Sequence, residues 1–122
     1  MAGALMTFTE ITFGTIKKIK CVWLSDGATG DVTGTTTEFY SGKLLGAITV
    51  PDAVAVPDNL YDVEVFDNDS VDVALGALLN RSNVNTEYVA MTALAAVAES
   101  QLTILVENAN NAKEGILYLF IR

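Results

Sequence analysis

The sequence predicts an all-β fold: a compact β-sandwich or β-barrel-like single domain of about seven or eight short strands. Three observations predict it. Short stretches alternate apolar and polar residues with a period of two. Clusters of Gly, Pro, Asn, Asp and Ser separate them at close intervals. No strand-like stretch is followed by a long amphipathic helix, the pattern that a doubly wound fold requires. At 122 residues the chain is one domain, 1–122, and long enough to bury a core without a metal or disulfide staple.

Met1–Met6 is small and apolar, and reads as a flexible arm or one ordered by a partner. Thr7–Phe13 alternates weakly, with Ile11 and Phe13 on one side, and Gly14 interrupts it. Ile16–Leu24 is a stronger strand: Ile19, Cys21 and Trp23 share one face, while Lys18, Lys20, Val22 and Leu24 share the other. Ser25–Asp31 is a loop by composition. Thr33–Tyr40, rich in Thr and ending in Phe39-Tyr40, suits an edge strand that Ser41-Gly42 breaks. Leu44–Val50 is the next strand. Pro51–Asn59 holds both prolines and reads as a loop. Tyr61–Phe66 alternates Tyr61, Val63 and Val65 with Asp62 and Glu64, and Asp67-Asn68-Asp69-Ser70 supplies four turn-formers in a row.

Two stretches stay open. Val71–Leu79 fits about two turns of helix near residues 72–80, with Ser70 or Asp72 as N-cap. Asn85–Ser100 contains an Ala-rich run, and residues 84–98 fit a helix face through Tyr88, Met91 and Ala95, and equally a strand through Val89, Met91 and Ala93. Gln101–Glu107 is a clean strand with Leu102, Ile104 and Val106 inward. Asn108–Gly115 is a turn. Ile116–Ile121 is apolar on both faces, the mark of a strand that is central in its domain or covered by another subunit. It raises the expectation of a homo-oligomer.

Composition narrows the chemistry. Fifteen acids against seven bases give a formal net charge of −8. That balance argues against a phosphate backbone or an anionic membrane as partner, since both demand a basic face. No histidine is present to serve as general base or metal ligand. Cys21 is the one cysteine; between Lys20 and Val22 it reads as a small buried hydrophobe. The N-terminal residues lack the basic and apolar segments of a signal peptide, which implies synthesis in a cytoplasm.

Residues 51–80 carry seven acids, Asp52, Asp58, Asp62, Glu64, Asp67, Asp69 and Asp72, with no base before Arg81. Asp67-Asn68-Asp69 begins like a calcium loop, but Asp72 stands where the loop's glycine belongs and Leu78 where its bidentate glutamate belongs. The bland reading, a solvated turn, is the better one. No nucleophile–base pair, phosphate loop or Cys-x-x-Cys motif occurs. The expectations are therefore a non-enzyme, with catalytic residues none, cofactor none and metal none. Lys17, Lys18 and Lys20 form a basic run that reads as a solvated strand face or a contact for an acidic neighbour, such as the 51–80 face of a second copy. The aromatics read as mostly inward core residues, with Phe39-Tyr40 and Phe66 as candidates for a contact surface.

Several stretches resemble a group of small structural proteins of tailed bacteriophages. These are Tyr40-Ser41-Gly42-Lys43-Leu44-Leu45, Val50-Pro51-Asp52, and Tyr61-Asp62-Val63 running into Asp67-Asn68-Asp69-Ser70-Val71-Asp72-Val73. To them are added Leu102-Thr103-Ile104, Asn108 to Lys113, and Leu117-Tyr118-Leu119. The resemblance spans the chain from about Thr35 onward. It implies a β-rich virion component on the outer capsid surface. There it would act as a decoration or cement protein, a homotrimer that bridges major capsid protein subunits. Two alternatives go with it: a neck or tail component of the virion, and a carbohydrate-binding β-sandwich module.

Overall fold

A computed structural model describes residues 4–122. Among the described residues the chain forms nine strands and no α-helix. The strands are β1 (Leu5–Phe13), β2 (Ile16–Leu24), β3 (Val32–Thr35), β4 (Tyr40–Pro51), β5 (Asp62–Phe66), β6 (Glu87–Ala90), β7 (Ala96–Ser100), β8 (Thr103–Glu107) and β9 (Glu114–Ile121). A six-stranded sheet runs β1-β2-β9-β4-β6, with β7 also paired to β4; a three-stranded sheet runs β3-β8-β5. Every pairing is antiparallel. The two sheets pack face to face as a sandwich, and the core lies between them.

The alternation in the sequence decides what enters that core. Ile19, Cys21 and Trp23 on β2, Ala47 on β4, and Leu117, Leu119 and Ile121 on β9 point inward from the large sheet. Val32, Val63, Val65, Ile104 and Val106 meet them from the small sheet. Trp23 and Tyr61 join the two layers, with ring centroids 5.6 Å apart and planes tilted by 51°. Gly115 on β9 lies opposite Trp23 of β2. A Cβ at Gly115 would stand 2.4 Å from the indole, so only glycine leaves room for the ring.

The structure sharpens several readings and corrects others. Nine strands are present where seven or eight were expected. Gly14 does not merely interrupt a strand. With φ of 62° it is the first residue of the two-residue turn Gly14-Thr15 that joins β1 to β2, the type II′ geometry that suits right-handed strand twist. Of the expected arm Met1–Met6, residues 1–3 lie outside the described residues, while Leu5 and Met6 pair with Leu24 and Trp23 and belong to β1. Thr33–Tyr40 is not one strand. β3 ends at Thr35, and Tyr40 opens β4, which runs through Ser41-Gly42 on a bulge.

Residues 72–80 form consecutive turns, not a helix. Leu75, Gly76 and Asn80 have positive φ, and the backbone bonds outward: Val73 N–H donates to Val65, and Val63 N–H to Leu78. The carboxylate of Asp72 accepts from the N–H groups of Val65, Ala74 and Gly76, which fixes the turn on β5. The undecided stretch 84–98 resolves as β6, a single 3-10 turn at Met91–Ala93, and the start of β7. Lys43 ties that turn down through the carbonyls of Met91 and Leu94.

Because the indole occupies the space above Gly115, Gly115→Ala should destabilise the fold by roughly 1–3 kcal/mol. Chemical denaturation checks this; an unchanged midpoint would contradict the packing described.

Candidate functional site

The two outer faces of the sandwich differ in chemistry. Outward positions on the small sheet are Thr33, Thr35, Asp62, Glu64, Phe66, Thr103, Leu105 and Glu107. This face is polar and acidic. Burial, and then the neighbouring Asp72, Glu107 and Asp62, push the Glu64 carboxyl above its usual value of 4.5.

The outer face of the large sheet is mostly apolar. Cross-strand rows place Ile11, Lys18, Phe120 and Gly46 side by side, then Thr9, Lys20, Tyr118, Ile48 and Tyr88, then Thr7, Val22, Ile116 and Val50. Phe13 and Ile16 close the hairpin at one corner, and Phe13 is 88% exposed. Ile16, Leu45, Gly46, Ile48, Tyr88 and Phe120 line a shallow cleft of about 270 Å³. Tyr88 is 64% exposed, and its hydroxyl end reaches over Gly46. The cleft carries one hydrogen-bonding side-chain group, the Tyr88 hydroxyl, so its chemistry suits an apolar partner surface.

Lysines cross this face. The Lys18 ammonium sits 4.7 Å from the Tyr118 ring centroid and 5.9 Å from that of Phe120, a cation–π arrangement over the middle of the sheet. Lys20 stands in the next row. Lys17 belongs to the opposite face of β2, in register with Ile121, so the basic run divides between two faces.

The acidic residues of 51–80 act as turn fasteners. Asp67 accepts from the N–H groups of Asp69 and Val71, Asp52 from those of Val54 and Ala55, and Asp62 from Asn80 N–H and the Asn108 amide. Among the described residues no three His, Cys, Asp or Glu side chains converge as metal ligands would. Cys21 is buried under the sheet, and burial pushes its thiol up to about 12, which leaves it a packing residue. Tyr61 Oη and Thr49 Oγ1 are buried without a hydrogen bond of good geometry, a polar pair inside an apolar core.

The aromatics correct the inward expectation. Trp23, Tyr40 and Tyr61 are buried, but Phe13, Phe39 and Tyr88 are exposed, and Tyr118 and Phe120 are half-buried on the outer face. Tyr40 is therefore not a contact residue, Phe66 is half-buried on the acidic face, and Phe39 alone of that trio is exposed. The two-sided apolarity of Ile116–Ile121 pointed to the outer face. The partners of Tyr118 and Phe120 in the neighbouring strands could not be read without strand order.

Among the described residues no helix is long and apolar enough to cross a membrane. Comparison of the chain with protein-family models, with characterised proteins and with solved structures finds no match.

Relieving the crowding of charge on the small sheet gives a signed test. A carboxyl whose folded value is raised binds its proton more tightly in the folded state, so ionising it as pH rises costs stability. Glu64→Gln should therefore raise the denaturation midpoint at pH 7, and the gain should shrink as pH falls towards the ordinary value of 4.5. An equal gain at both pH values would show that charge is not the cause.

Proposed function

We propose that this chain is a non-enzymatic structural protein of a bacteriophage virion, made in the host cytoplasm. It decorates the outer capsid surface and stabilises it by bridging major capsid protein subunits. One structural observation carries the reading: the outer face of the six-stranded sheet is apolar, lysine-crossed and open, with Ile16, Ile48, Tyr88 and Phe120 around its cleft. A sheet face of this kind is a protein-contact surface. The resemblance of Tyr40–Leu45, Tyr61–Val73 and Asn108–Lys113 to small phage structural proteins supplies the setting. Acidity outside the contact face keeps such a chain soluble before assembly, and weak contacts repeated over a symmetric shell add up to strong retention. Association of copies is part of this reading, with the trimer as the form the resemblance implies.

A neck or tail position in the same virion would use the same face at far lower copy number. The carbohydrate-binding alternative draws less support, because a sugar's hydroxyls would find only the Tyr88 hydroxyl among the side chains of the cleft.

Quantitative mass spectrometry of purified virions checks the proposal. The expected result is a copy number comparable with that of the major capsid protein, and Ile48→Asp should strip the protein from heads while leaving it folded. A count of a few copies per particle would move it to the neck or tail; absence from particles would refute both.

A further inference from the structure

The most exposed stretch of regular structure is the edge strand β1. It pairs with β2 along its whole length, and among the described residues no other strand or loop forms a backbone hydrogen bond with it, although Met6 packs on Gly34 of β3 and Thr36–Glu38 share a cleft with Phe8, Thr9 and Glu10. Natural edges are blunted by charged side chains, inward-pointing ones among them, by proline, bulges or short length, or by a covering loop. Here the edge is nine residues long, its register with β2 is unbroken, and Glu10 is its one charged residue. Leu5, Ile11 and Phe13 are left 61%, 62% and 88% exposed.

The hairpin turn fixes which backbone groups face outward. Phe13 and Ile16 close a two-residue loop, so they form a hydrogen-bonded pair, and so does every second pair up the ladder. Leu5, Thr7, Thr9, Ile11 and Phe13 thus spend their N–H and C=O groups on β2. Those of Met6, Phe8, Glu10 and Thr12 point to the open side.

We propose that β1 pairs with β1 of a second copy of this chain, antiparallel about a twofold axis at Thr9. Only the outward groups can bond across such an edge, and they fall into self-complementary pairs: Met6 with Thr12 and Phe8 with Glu10, each repeated by symmetry, for about eight backbone hydrogen bonds. On the outer face the same register sets Leu5 against Phe13 and Thr7 against Ile11, so the exposed apolar residues at the two ends of the strand cover each other. Glu10 faces Phe8 and not another Glu10, so no like charges stand directly opposite. The two large sheets become one continuous sheet, and the apolar outer face doubles in extent. The contact is isologous and closes at two copies, so the free chain is a dimer and not the trimer that the resemblance implies.

The proposal concerns the chain alone and does not depend on the virion reading. At the twofold axis Thr9 meets its own copy in a non-hydrogen-bonded pair, with Cα atoms about 4.5 Å apart, within disulfide reach. Thr9 is exposed, and the native Cys21 is buried. Under mild oxidation Thr9→Cys should convert almost fully to a disulfide-linked dimer on a non-reducing gel. Thr7→Cys, which faces Ile11 across the pair, should not. Sedimentation of the wild-type chain should give twice the 13.0 kDa chain mass. A monomeric or trimeric wild-type chain, failure of Thr9→Cys to link, or equal linking by Thr7→Cys would each overturn the proposal.

Discussion

The structure depends on the position of β9. This strand is bonded on both sides, to β2 and to β4, and it joins the hairpin β1–β2 to the rest of the large sheet. Its inner side chains, Leu117, Leu119 and Ile121, are buried at the centre of the core. Burying three such side chains contributes on the order of 5–9 kcal/mol before the entropy of ordering them is charged. Gly115 at its start admits the Trp23 indole, which in turn meets Tyr61 at the start of the small sheet. Pulling β9 out would separate the β1–β2 hairpin from β4 and leave Trp23 without its neighbouring strand.

The same strand sets the character of the surface. Ile116, Tyr118 and Phe120 must face away from the core because their neighbours face into it. Ile48 and Val50 of β4 and Val22 of β2 stand beside them in cross-strand register, so isolated outward residues merge into a face. Lys18 lies over two of the rings and shields part of it. The small sheet, by contrast, turns the half-buried Asp62, Glu64 and Glu107 outward. The chain thus turns three acids outward on one sheet face and keeps an apolar face, crossed by Lys18 and Lys20, on the other.

Much of this was legible in the sequence where period-two alternation was clean. Ile19, Cys21 and Trp23, and again Leu102, Ile104 and Val106, are buried as their spacing implied. The carboxylates of Asp67 and Asp72 fasten turns, as turn-forming residues do. What failed was decided by partners distant in sequence. Asp72 binds the N–H of Val65 on β5, and Ala95 N–H donates to Val73, so the apolar run Ala74–Leu79 is held in turns despite its helix-forming residues. Gly42 reads as a breaker, yet β4 continues through it, with Lys43 still bonded to Arg122 after β9 and β7 paired on its other side across a bulge. The outer face was half visible in Ile116–Ile121; its extent depends on strand order, which no local pattern encodes.

Site-resolved amide hydrogen exchange tests the central place of β9 most directly. The amides of Leu117 and Leu119 should be among the slowest in the chain, exchanging only when the whole domain unfolds, with the edge strands β3 and β6 exchanging faster. Exchange in β9 as fast as in those edge strands would contradict the account, since a strand bonded on both sides and buried on one face cannot open alone.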